Sequence, residues 1–191
     1  MLKNILIKCL NLIGREDIIL ELEKYDSVNE IESADIKNEV IKLINTYNFV
    51  VSAIFENYIE LCVTEKVMSN SQSKIEYISL SKFPVKVIKV EDENGVKMDF
   101  YSTPNYIKVN SSNKLCFVTY KFLPLEVKDL SGKIIENSSI NHRILCYGMI
   151  AEYFAGKGKL SESEFWNKKF TQELFNLKSK KERRLKSTFC L

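Results

Sequence analysis

The apolar residues of this chain change their spacing twice, and that change limits the folds open to it. Ile36, Val40, Leu43, Ile44, Tyr47, Val50, Val51, Ile54, Phe55 and Tyr58 recur at steps of three and four, the period of one helix face. From Lys74 to Val127 the chain is rich in Val, Ile, Tyr and Phe and alternates apolar with polar in short runs, as half-buried strands do. From Ile144 the helical step returns. The fold class expected is therefore α+β: a helical scaffold, with N-terminal helices and a C-terminal helix pair, carrying an inserted antiparallel β-meander.

Several local signals set the boundaries. Leu2, Ile5, Leu6, Cys9, Leu10 and Ile13 form one apolar stripe, and a second helix spans about Glu16 to Tyr25. Ser33 is placed to cap the long helix, with Asp35 suited to its first turn. Cys62, Val63 and Val67 read as extended. Strand faces follow at Ile75, Tyr77 and Ser79, at Val85, Val87 and Val90, and at Val96, Met98 and Phe100. Further faces fall at Ile107 and Val109, then at Leu115, Phe117 and Thr119. Between them lie the turns Asp92 to Gly95, Thr103 to Asn105 and Asn110 to Asn113. Asn94-Gly95 fits a tight hairpin in which both residues take positive φ. Ser138 or Ser139 caps the next helix, Gly156-Lys157-Gly158 stops it, and Ser161 to Glu164 forms a capping box for the last one. The organisation expected is 1–60 for the N-terminal helices, 61–130 for the β section, 131–180 for the helix pair and 181–191 for a basic extended tail, all in one compact domain with a β insertion.

Chemistry is sparse. His142 is the single histidine, so any Ser–His or Cys–His pair has to use it, and no nucleophile elbow, metalloprotease, phosphate-loop or dinucleotide signature accompanies it. Glu162 with Glu164, and Asp92 with Glu93, occupy a helix start and a hairpin turn, which already account for them. Five cysteines stand singly at 9, 62, 116, 146 and 190, neither a disulfide framework nor a zinc set, as in a reducing compartment. Catalytic, cofactor and metal sites are all expected to be absent, and the chain is expected not to be an enzyme. Lys3 and Lys8 interrupt the apolar start, which argues against a signal peptide, and no run reaches the length of a membrane span. No membrane partner is expected.

Charge is distributed unevenly. From Gly14 to Glu39 there are nine acidic residues against three basic; from Lys157 to Leu191 there are ten basic against four acidic. Such asymmetry suits head-to-tail packing of subunits, and the basic end suits a nucleic-acid contact as well. Lys178, Lys180, Lys181, Arg183, Arg184 and Lys186 fall within nine residues. They could meet phosphates, or simply solvate a helix end. The apolar tip Phe189-Cys190-Leu191 favours a third use, a peptide arm buried in a partner.

The segment Cys146-Tyr147-Gly148-Met149-Ile150-Ala151-Glu152-Tyr153 resembles the YG…EY helix of head–tail connector (adaptor) proteins of tailed bacteriophages. Gly158 to Trp166 is similar to that family's following helix start, although Ser163 stands where alanine is frequent. The basic run ending in Phe189-Cys190-Leu191 is similar to its C-terminus, with Phe189-Cys190 where a tryptophan is common. Ile44-Asn45-Thr46-Tyr47, Ile78 to Pro84, Val90 to Gly95 and Val118 to Pro124 echo its upstream sections, so the resemblance runs from about Asp35 to Leu191. It implies a structural virion protein, made in the host cytoplasm and located in the neck between capsid and tail. The partners implied are the portal protein, neighbouring copies in a ring (commonly of twelve), a downstream neck or tail protein, and the packaged DNA passing through the channel. It implies that Lys186, Ser187, Thr188, Phe189, Cys190 and Leu191 dock into the portal, while Lys178, Lys180, Lys181, Arg183 and Arg184 contact DNA or a partner. Alternatives are another neck component, such as a stopper or tail-completion protein, or a small DNA-binding protein using its basic tail.

Overall fold

The computed structural model describes residues 1–134 and 140–188, with side chains through 177. Five α-helices and seven strands appear in the order α1 (Leu2–Ile13), α2 (Glu16–Lys24), α3 (Ala34–Asn57), β1 (Cys62–Met68), β2 (Lys74–Glu76), β3 (Pro84–Glu91), β4 (Lys97–Met98), β5 (Phe100–Ser102), β6 (Tyr106–Val109), β7 (Leu115–Phe122), α4 (His142–Gly156) and α5 (Leu160–Thr188). The class is α+β, with the antiparallel strands inserted between α3 and α4. The chain divides into two compact units, a helical one of residues 1–54 and 125–191 and a β unit of residues 55–124.

In the helical unit α4 is the central element. Ile144, Leu145, Cys146, Gly148, Met149, Ile150, Ala151 and Tyr153 are all buried, on more than one face, so α4 packs on both sides, against α1 and α5. The α1 stripe of Leu2, Ile5, Leu6, Cys9 and Leu10 is buried as its spacing predicts. Gly14 ends α1 at φ 68°, a left-handed cap that glycine adopts without penalty. The start of α3 also follows the sequence: Ser33 Oγ accepts the Ile36 N–H at 3.4 Å, and Asp35 lies in the first turn. The segment after the β unit is pinned by polar groups. Asn48 exchanges two hydrogen bonds with the Val127 backbone, at 2.8 and 2.9 Å. The Leu130 and Gly132 carbonyls accept from the Lys3 and Leu2 N–H groups, satisfying donors that a helix start leaves open.

Two helix starts differ from expectation. Asn141 caps α4, its side chain accepting the Ile144 N–H at 3.0 Å; Ser138 and Ser139 lie outside the described residues. α5 begins at Leu160, and the Ser163 N–H bonds to the Lys159 carbonyl. Ser161 is thus inside the first turn and not at its cap. Among the described residues a capping box is found instead at Ser27 and Glu30, around a short 3-10 turn. At its far end α5 continues as helix to Thr188, so the stretch 181–188 expected to be extended is helical. Lys, Arg, Glu and Leu are good helix formers, and nothing between Lys178 and Lys186 breaks the run.

The β unit has two antiparallel sheets, ordered β1-β7-β3-β4 and β2-β6-β5. Ile75, Ile107 and Val109 of the smaller sheet share one core with Val87, Val90, Met98, Cys116, Val118 and Tyr120 of the larger. Four faces differ from the alternation expected. In β3 the buried residues are Pro84, Val87 and Val90, because register shifts between Pro84 and Lys86 and between Val87 and Lys89 each insert a residue; Val85 is exposed. In β7 the core takes Cys116, Val118 and Tyr120, and Leu115, Phe117 and Thr119 point to the other side. Six of the eight β7 residues are apolar, so composition leaves the face undetermined. After Ile75 the strand stops at Glu76, and Tyr77–Ser79 forms a 3-10 turn. Val96 is exposed, while Met98 is buried. The hairpin between β3 and β4 uses a five-residue loop, 92–96. Only Gly95 takes positive φ (77°), and the Asp92 carboxylate accepts the N–H groups of Asn94 and Val96 at 2.9 Å each.

Candidate interaction surfaces

The YG…EY segment and Trp166 meet on the α4–α5 hairpin. A Cβ at Gly148 would come within 2.8 Å of Val50 Cγ1 on α3 and 2.9 Å of Phe170 Cε2 on α5, so glycine lets three helices close on one point. Next to it Tyr147 packs on Trp166, ring centroids 5.5 Å apart, and Phe165 packs edge-on to Trp166 at 5.4 Å. Lys169 Nζ lies over all three rings, 4.4 Å from Phe165, 4.7 Å from Trp166 and 5.6 Å from Tyr147. Such a cation–aromatic arrangement, half open to solvent, stabilises by about 0.5–1 kcal/mol per good ring contact.

Tyr153, the last residue of the motif, anchors a polar network. Its hydroxyl accepts from Arg15 Nη1 at 2.6 Å and donates to Glu39 Oε2 at 3.1 Å, and Lys157 Nζ reaches the same carboxylate at 3.1 Å. The network therefore ties together the start of α2, the side of α3 and the end of α4. Burial pushes the Glu39 carboxyl up, but Lys157 and Tyr153 outweigh it, and Glu39 titrates below the usual carboxylate range. Every partner is satisfied by another, so the cluster holds helices together and leaves no group aimed at a substrate.

The sequence-predicted site lies at the end of α5. Backbone of Lys178, Lys180, Lys181, Arg183, Arg184, Lys186, Ser187 and Thr188 is helical; their side chains, and all of Phe189, Cys190 and Leu191, lie outside the described residues. Arg143 at the start of α4 meets Glu173 at 4.0 Å, which marks where α4 ceases to accompany α5. The last 14 or so residues of α5, roughly 21 Å of helix at 1.5 Å per residue, run beyond that point. His142 Nδ1 faces Lys8 Nζ at 3.0 Å, a cation and not the carboxylate that orients a general base. Among the described residues no group of three or more potential ligands could hold a metal ion, and no helix is long and apolar enough to cross a membrane.

A second surface escaped the sequence analysis because it depends on strand register. On the larger sheet the side opposite the core carries rows that the pairing defines: Cys62, Lys121 and Lys86; Thr64, Thr119 and Lys89; Lys66, Phe117, Glu91 and Lys97; Met68 and Leu115. Five lysines share this face with one carboxylate, Glu91, which Lys89 holds at 2.7 Å. Periodicity could have found it only with the two β3 bulges and the β7 face known. The inner side has its own polar group. Glu65 accepts hydrogen bonds from Tyr120, at 2.5 Å, and from the Ser81 hydroxyl and N–H. Burial raises the Glu65 carboxyl, but these donors prevail and lower it.

Neither the protein-family models nor the curated proteins contain a match to this chain.

Proposed function

We propose that this chain is a head–tail connector of a tailed bacteriophage: a structural subunit that rings the DNA channel beneath the portal, docks to the portal through Lys186 to Leu191, and presents a platform to the next neck component. The observation that carries the reading is the hairpin of α4 and α5. The YG…EY and Trp166 positions, on two successive helices, build a single packed element there, with Gly148 between helices and Tyr147 on Trp166. A helix that continues past its partner, with a run of cations along it, suits a segment that reaches into another protein. A neck protein of another kind, such as a stopper, would share the helix–strand–helix order, and a DNA-binding protein would share only the cations.

The test is native mass spectrometry of the chain with the portal ring of the same phage, with and without residues 186–191. Loading of complete rings by the full chain, and none by the shortened one, is the outcome expected. Failure of both to load would defeat the reading.

A further inference from the structure

The lysine face of the larger sheet is costly to the fold that carries it. Lys86 stands directly opposite Lys121 across the β3–β7 ladder, and like charges in that position destabilise a sheet. Among the described residues Lys66, Lys86 and Lys97 have no ion-pair partner, and Lys121 Nζ reaches only the Glu56 carbonyl, at 3.2 Å. Folding gives no reason for this arrangement, whereas an anionic surface laid on the sheet would. Met68, Leu115 and Phe117 form an apolar strip among the lysines, since Met68 pairs with Leu115 and Leu115 and Phe117 are two apart on one strand. Met68 is 64% exposed. A surface of this kind calls for a partner with an apolar centre and an acidic rim.

That complement is present on α2. Ile18, Ile19 and Leu22 bury one side of it. On the other, Leu20 is 58% exposed, with Glu16 one turn before it and, one turn after, Glu23 and Lys24, all exposed, the lysine being held by Glu21 at 2.6 Å. Glu32 and Asp35, also exposed, follow in the same acidic stretch. We infer that the lysine face of the β unit in one copy receives the α2 face of the next, with Leu20 against the Met68–Leu115–Phe117 strip and the carboxylates against Lys66, Lys86 and Lys121. The two surfaces differ, so the contact is heterologous and leaves a pair of copies with one free face of each kind. It can propagate until a ring closes. A phosphodiester backbone would match the lysines alone. The inference deepens the connector proposal and rests on it only for closure of the ring.

Charge reversal makes the test decisive. Nuclease-treated full chain should sediment as larger species with rising concentration at low salt and return to monomer at high salt. Lys86→Glu with Lys121→Glu should stay monomeric, and so should Glu16→Lys with Glu23→Lys, each with unchanged far-ultraviolet circular dichroism. Mixed in equal amounts, the two variants should assemble again, since each reversed face then meets its opposite; Leu20→Ala should weaken assembly without any change of charge. The inference is overturned if the parent chain remains monomeric, if either variant assembles alone as the parent does, or if mixing restores nothing. It is equally overturned if the lysine variant loses binding to a labelled single-stranded oligonucleotide that the monomeric parent binds, because the face then serves nucleic acid. Portal loading separates the two proposals. Variants that fail to self-associate but still load as complete rings would refute this contact and leave the connector reading intact. A parent that self-associates as described but never loads would do the reverse.

Discussion

Gly148 is the residue on which three helices of the helical unit close. An added methyl has to displace Val50 or Phe170, and overpacking of this kind costs about 1–3 kcal/mol. Gly148→Ala should lower the thermal midpoint, read by the fluorescence of Trp166, which is the single tryptophan of the chain and sits on the same hairpin. Gly156→Ala is the control: nothing lies within 4 Å of its Cβ, and the better helix former should be neutral or stabilising by up to about 1 kcal/mol. Glu39 supplies a pH signature. Its carboxyl is held below its unfolded value by Lys157 and Tyr153, so its contribution is complete above the unfolded pKa of about 4.3 and fades as pH falls through the folded one. The difference in thermal midpoint between the parent and Glu39→Gln should therefore be constant near neutrality and shrink progressively below about pH 4.3.

Among the elements, α5 separates packing from reach. Leu174 is its last buried residue among those with described side chains. A chain ending at Leu177 retains Leu174 and should keep its thermal midpoint, yet lose the portal loading that the connector reading assigns to the end of the helix. The elements also show why some features were legible in sequence and others were not. α1 and α3 could be read to within a residue or two, because a stripe every three or four residues has one geometric solution, and Ser33 marks an end by chemistry. β3 and β7 misled for opposite reasons. Bulges gave β3 a burial spacing of three that no regular strand has, and β7 is apolar on both sides. The meeting of Gly148 with Val50 and Phe170 was beyond sequence reasoning because it joins three helices. The lysine face was beyond it because Lys66, Lys86 and Lys121 become neighbours only through register.

At the scale of the whole chain the cysteines form a natural set of reporters. Cys9, Cys116 and Cys146 are buried and Cys62 is exposed. The neighbouring Cys146 thiol and burial push the Cys9 thiol up, and burial does the same at Cys116, so thiolate, the reactive form, is scarce at both. Brief alkylation followed by peptide mass mapping should label Cys62 in the native protein and spare Cys9, Cys116 and Cys146. Labelling at Cys116 then reports opening of the β unit, and labelling at Cys9 and Cys146 reports opening of the helical one. Rapid native labelling of Cys9 or Cys116 would contradict the packing described.

The insertion of residues 55–124 between α3 and α4 also fixes an order of events at the ribosome. The β unit is contiguous and can complete its core as soon as β7 emerges. The apolar stripe of α1 must wait for α4, made more than 120 residues later, an interval on the order of 10 s at typical rates of synthesis. During that time Leu2, Ile5, Leu6 and Leu10 have no α4 to cover them, so the nascent chain is most exposed to aggregation, and most in need of a chaperone, before its final fifty residues appear.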